Sequence, residues 1–225
     1  MSIYYRLTDC RLLLQFIGIK FTFPIKSFDL IGLIDLQWNK ILKKINRQNK
    51  KSDKILFFGD SIIEMSNVKL YIKDALNLGI YGETLSNAAK HLVKFDNFND
   101  KKILFAYGIN DVINGNKNDI IENYKKLIKH FSNCSKIFIT SILPVNKVIL
   151  LNLRNLNINN NEIFEINKSI ENLCNESKNV FYIDTAKNMY DDALNLKEEY
   201  TGDGLHLNEN GYEVFYANIS DCFKL

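Results

Sequence analysis

Short apolar runs alternate with longer amphipathic stretches from residue 53 onward. The runs are KILFFG (54–59), ALNLGI (75–80), KILFAYG (102–108), KIFITSI (136–142) and NVFYID (179–184). Each is apolar at consecutive positions, as suits a strand buried on both faces of a parallel sheet. Between them, ETLSNAAKHLVKF (83–95), NDIIENYKKLIKHF (118–131) and NEIFEINKSIENLCNE (161–176) carry helical patterns, and NENGYEVFYANISDCF (208–223) follows as a last one. Strands alternating with helices predict an α/β fold, a three-layer α/β/α sandwich with about five parallel strands and right-handed crossovers.

The pattern changes before residue 53, near Pro24. Residues 1–26 contain QFIGIKFTF, which reads as strand, turn, strand. Residues 28–50 then place Leu30, Ile31, Ile34, Trp38, Ile41, Leu42 and Ile45 mostly three or four apart, which is helical spacing. The expected organisation is an N-terminal extension, 1–50, made of a hairpin and a helix and packed on a main domain, 51–225.

Composition narrows the function classes. The chain has 225 residues, 46% hydrophobic and 24% charged, which suits one globular domain. Its 29 basic and 26 acidic residues leave a net charge of +3, no argument for a nucleic-acid or anionic-membrane partner. The basic stretch KILKKINRQNKK (40–51) reads as a solvated helix end. The apolar stretch LLLQFIGIKFTFPI (12–25) is broken by Gln15 and Lys20 and is shorter than the roughly 20 residues a membrane span needs. No stable membrane insertion is therefore expected. MSIYYRLTDC lacks the basic-then-apolar start of a signal peptide, so the cytoplasm is the expected location. Cys10, Cys134, Cys174 and Cys222 form no CxxC pair and have no His at metal-ligand spacing, which predicts free thiols and no metal site. The Asn-rich tract NLRNLNINNNE (152–162) reads as a loop running into a helix.

In open parallel sheets, ligands bind beyond the carboxyl ends of the strands. Gly59-Asp60-Ser61 follows the first run, and Asn77 to Gly82 ends the second. Gly108-Ile109-Asn110-Asp111 follows the third, and YTGDGLHLNENGY (200–212) precedes the last helix. Two readings of Ser61 stand open. Ser61-Ile62-Ile63-Glu64 is a Ser-x-x-Glu capping box, which starts a helix without chemistry. Alternatively, a Ser at a helix start lies beside unpaired backbone N–H groups that suit an oxyanion, and it needs a base. His91 and His130 fall in helical patterns, leaving His206. Asp203, three residues before it, can reach the imidazole across a short turn and fix its tautomer. The bland alternative makes Asp203 a turn residue and His206 a solvated one. Asn110 is either an Asx-turn residue or an N–H donor at the sheet edge. Gly79 has a backbone N–H that a ligand can approach closely.

Taken in order, these residues resemble the SGNH (GDSL-type) hydrolases. GDS supplies Ser61, NLGIYG supplies Gly79, GIND supplies Gly108 and Asn110, and DGLH supplies Asp203 and His206. SILPVN (141–146) and HLNENGY (206–212) also look like the family's connections, so the resemblance runs over about 53–222. It implies a flavodoxin-like sandwich and cofactor-free, metal-free ester hydrolysis through an acyl-serine. By position, Ser61 is the nucleophile, His206 the general base and then acid, and Asp203 the orienting carboxylate. The Ser61 and Gly79 backbone N–H groups and the Asn110 side chain form the oxyanion hole, with Asp60 and Gly108 in support. NLGIYGET looks most like the small acetylhydrolase and carbohydrate-esterase branch, which implies a short acyl group on a glycan or small-molecule alcohol. Two alternatives remain: an O-acyltransferase with the same triad, and a non-catalytic flavodoxin-like module holding FMN or phosphate at residues 59–64.

Overall fold

The structure, a computed structural model, describes residues 36–41, 55–95, 98 and 100–223. The chain divides into two compact units, 1–48 and 49–225. In the first, residues 36–41 form a helical turn in which Trp38 and Ile41 are buried. The expected hairpin over 1–26 lies outside the described residues, as does most of the helix expected over 28–50.

The second unit carries five strands: β1 (Ile55–Gly59), β2 (Ala75–Gly79), β3 (Lys102–Ala106), β4 (Lys136–Thr140) and β5 (Val180–Ile183). All neighbours are parallel and the order is β2-β1-β3-β4-β5. This is the flavodoxin-like order, with the switch point between β1 and β3. Every residue of β1 is buried, as are four of five in β3 and in β4. Their unbroken apolar runs thus reflect cover on both faces. At the edges, β2 and β5 have partly exposed positions.

The helices are α1 (Ser61–Glu64), α2 (Val68–Tyr71), α3 (Leu85–Leu92), α4 (Ile109–Ile113), α5 (Ile120–His130), α6 (Lys147–Arg154), α7 (Asn160–Asn175) and α8 (Glu209–Phe223). Four of them, α3, α5, α7 and α8, match the amphipathic stretches. One core cluster joins Phe57, Leu104 and Phe138 of the sheet to Phe215, Tyr216 and Ile219 of α8. Helix α6 had no separate signal. KVILLNLR is apolar at five of eight positions without a clear stripe, and Val148, Leu151 and Leu153 are exposed.

Asparagine has a structural use here. From α7, Asn160 pairs with both backbone groups of Val145, and Asn167 with both of Ile142. These side chains serve buried backbone groups of the 141–146 connection beyond the end of β4.

Candidate active site

Ser61 begins at β1. The strand runs straight into α1, with only Asp60 between them. Asp60 is the N-cap, its Oδ1 accepting the Ile62 N–H at 3.0 Å. The capping reading of Ser61 is therefore corrected: the preceding Asp makes that bond and leaves the serine hydroxyl available. Ser61 Oγ lies instead 3.0 Å from His206 Nε2. From α8, the Tyr212 hydroxyl donates to the Ile62 carbonyl at 2.9 Å, and Ser66 Oγ lies 2.6 Å from Tyr216 Oη. The helix start is thus pinned by groups about 150 residues away in sequence.

Asp60 is 2% exposed. Burial raises its carboxyl to about 7, against the weaker opposing pulls of the Ile62 N–H and the His206 charge. Behind the site, a cavity of about 30 Å³ is lined by Asp60, Tyr107, Ile109 and Leu205 among others. The Tyr107 hydroxyl is buried there with no hydrogen-bond partner among the described residues.

The second group comes from the loop before α8. His206 Nδ1 lies 2.7 Å from Asp203 Oδ2, while Oδ1 accepts the Leu205 and His206 N–H groups at 2.9 and 2.8 Å. Burial alone raises the Asp203 carboxyl, but the His206 hydrogen bond, its charge and the two backbone donors outweigh that and hold it well below the usual range. An ionised Asp203 keeps the proton on Nδ1, so Nε2 can accept from Ser61. Thr201 sets the loop: its Oγ1 donates to the His206 carbonyl at 2.7 Å and accepts the Gly204 N–H at 3.0 Å. The Tyr81 ring stacks on His206 with centroids 5.8 Å apart. Asp203 and His206 are therefore paired across the turn, and neither is a freely solvated turn residue.

Asn110 stands in the first turn of α4. Gly108, at φ 133°, turns the chain out of β3 to start that helix, in a conformation most side chains avoid. Asn110 Nδ2 donates to the Glu83 carbonyl at 2.9 Å. That uses one of its two N–H groups. Its neighbour Asp111 accepts the Leu85 and Ser86 N–H groups at 2.7 and 3.1 Å, capping α3 from α4. The GIND segment therefore clamps the 80–86 loop.

Gly79 differs from the expectation. Its N–H donates to Asn77 Oδ1 at 2.9 Å, and Asn77 Nδ2 in turn donates to the Ile63 and Ser66 carbonyls. A Cβ at Gly79 would come within 2.2 Å of the Glu64 nitrogen. Gly79 is small because α1 packs on it, and its N–H is already engaged. Gly82, three residues on, has φ +72° and open space around its Cα. It directly precedes Glu83, whose carbonyl holds Asn110. Sequence reasoning missed Gly82 because NLGIYG offers two glycines, and only the backbone angle and the surroundings separate them.

Arg154, at the end of α6, was also not foreseen. Its Nη2 lies 2.8 Å from Asp203 Oδ2. No group of three or more His, Cys, Asp or Glu side chains among the described residues is arranged to hold a metal. Cys134 and Cys174 are free and buried, and burial pushes both thiols up to about 12. No helix among the described residues is long and apolar enough to cross a membrane.

Among solved structures, a protein from Streptococcus pneumonia provisionally described as a platelet activating factor is similar with a TM-score of 0.71 at 25% identity, covering 86% of this chain and 95% of that one. A GDSL-like lipase from Bacteroides thetaiotaomicron VPI-5482 shares the fold, with a TM-score of 0.64 at 20% identity over 83% of this chain and 98% of its own. Among curated proteins, the N-acylneuraminate cytidylyltransferase of Escherichia coli O18:K1:H7 (strain RS218 / NMEC) is 28% identical over 195 residues. That match takes in 83% of this chain but only 44% of the relative, so the chain spans less than half of that protein's length. The family described as GDSL-like Lipase/Acylhydrolase matches residues 57–214, a stretch that includes Ser61, Asn110, Asp203 and His206. With most of its length matched by that family, a flavodoxin-like sheet and a serine within reach of an aspartate-held histidine, this chain belongs to the GDSL-like (SGNH) lipases and acylhydrolases, a family of ester hydrolases.

Proposed function

We propose that the protein is a serine esterase that removes a short acyl group, acetyl above all, from a carbohydrate or another small polar alcohol. The line from Asp203 Oδ2 to His206 Nδ1 and from His206 Nε2 to Ser61 Oγ, at 2.7 and 3.0 Å, carries this reading. In it, Ser61 Oγ attacks the ester carbonyl while His206 Nε2 takes the hydroxyl proton, and Asp203 stabilises the imidazolium. The tetrahedral oxyanion is held by the Ser61 N–H, the Gly82 N–H in place of Gly79, and the second Asn110 N–H. Collapse breaks the bond to the alcohol, which leaves with the His206 proton. Water then gives its proton to His206 and attacks the acyl-serine, releasing the acid and restoring Ser61. The residues need no metal or cofactor for these steps. A flavodoxin-like binding module would have no use for the Asp203–His206 pair.

The short acyl group is supported by the loops around Ser61. One residue joins β1 to α1, five join β2 to α3 and two join β3 to α4, too few to fold over a long chain. The sugar is supported by the curated relative, whose printed activity concerns an N-acylneuraminate. The free, buried thiols suit a reducing compartment such as the cytoplasm.

The test is turnover of p-nitrophenyl acetate by the wild type and by Ser61→Ala. The substitution is expected to lower kcat/KM by at least about 10³-fold with the melting temperature unchanged. Undiminished activity in that variant would defeat the reading. Acetate release from O-acetylated sugars, N-acylneuraminate included, then tests the alcohol. Adding an unacetylated sugar acceptor shows whether water or a hydroxyl takes the acyl group, which separates an esterase from an acyltransferase.

A further inference from the structure

We infer that Arg154 is a positioning residue of this site, holding the Asp203 carboxylate in line with His206. The inference rests on the reading of Ser61, His206 and Asp203 as a hydrolytic triad.

The argument starts from what holds Asp203. Its carboxylate receives four hydrogen bonds among the described residues. Three come from Leu205 and His206, within its own turn. These set the carboxylate relative to the imidazole but leave the pair free to move together against Ser61. The fourth comes from Arg154 on α6, to Oδ2, the oxygen that also faces His206 Nδ1. The other end of α6 holds the same turn, where the Asn146 N–H donates to the Gly204 carbonyl at 2.9 Å. At Gly204, with φ +82°, a Cβ would come within 2.8 Å of the Asn146 oxygen and the Leu150 nitrogen. Helix α6 therefore braces the turn through backbone at its start and through Arg154 at its end.

The Arg154 and Asp203 side chains are 20% and 29% exposed, so solvent screens their charges and the contact acts mainly by fixing the carboxylate in place.

The test follows the rate of Ser61 labelling by a fluorophosphonate at fixed pH, which needs no natural substrate. Arg154→Met is expected to slow labelling about tenfold. Arg154→Lys keeps a donor for the Asp203 carboxylate but not the planar fork, so it should restore the rate to within about threefold of the wild type. In an Asp203→Asn background, Arg154→Met should change the rate less than twofold, because Arg154 acts through that carboxylate. Wild-type labelling in Arg154→Met would overturn the inference. So would equal losses in the Met and Lys variants, or an undiminished loss in the Asp203→Asn background. Labelling that persists in Ser61→Ala would overturn the triad reading itself, and this inference with it.

Discussion

The segment around Ser61 and the segment around His206 bring their groups to one point by different means. Ser61 is set by the core. Its strand is wholly buried, the next helix starts at once, Gly79 lies against that helix, and Tyr212 holds its first turn. Asp203 and His206 stand on a turn outside the sheet, braced by the Thr201 hydroxyl, an isolated bridge between Thr201 and Leu207, and Arg154. The placement of Ser61 is therefore tied to the stability of the fold. That of His206 is tied to a few polar contacts that do little for stability. Substitutions in the packing that supports Ser61 should destabilise the protein first, and substitutions in the contacts that brace His206 should alter activity first.

The sharpest way to break that contrast is Gly79→Ala. A methyl there meets backbone, which cannot swing aside, so the variant should lose about 3 kcal/mol or more of stability in denaturant unfolding. A loss of activity with wild-type stability would contradict the division. Asp60→Asn comes next and depends on pH. The native carboxyl is raised to about 7, so between pH 4 and 7 the folded state holds a proton that the unfolded state has released. Wild-type stability then falls as pH rises through that window and levels off above it. The neutral amide removes this slope and can still cap α1. The variant should gain on the wild type by an amount on the order of 2 kcal/mol between pH 4 and pH 8, read from unfolding midpoints at the two pH values. Thr201→Val tests the other segment. It removes both hydroxyl bonds of the turn, and should lower kcat/KM about tenfold while costing only about 1 kcal/mol of stability. Gly82→Ala should show the smallest effect, about 1 kcal/mol, from the positive φ alone, since nothing crowds its Cα. Its distance from the effect of Gly79→Ala measures how differently two glycines of one loop are used.

Much of this was legible in the sequence because it is periodic or local. Unbroken apolar runs gave the five strands, since central parallel strands are covered on both faces. Asp203 and His206 were legible because three residues of a turn bring them together. What was not legible depends on partners far along the chain. Asp60 rather than Ser61 caps α1, because the Ser61 hydroxyl is drawn to a histidine from another loop. Gly79 departs from its expected role because Asn77 occupies its N–H, and only the backbone angle and open surroundings of Gly82 set the two glycines apart. Arg154 sat in a tract read as loop, and its partner lies 49 residues ahead. Asn160 of that tract and Asn167 beyond it serve the backbone of 141–146 from α7, a use that no local pattern reveals.

The 145-residue separation of Ser61 and His206 also gives the site a place in time. On the ribosome, β1 and its helix start emerge long before the base. The groups that pin the helix start, Tyr212 and Tyr216, emerge after the base, on α8. A chain stalled anywhere between carries a serine hydroxyl with no partner to activate it, hence no competence to attack esters met along the way. In the proposed reading, reactivity arrives only when α8 docks, so esterase activity during refolding reports completion of the domain, not formation of its sheet.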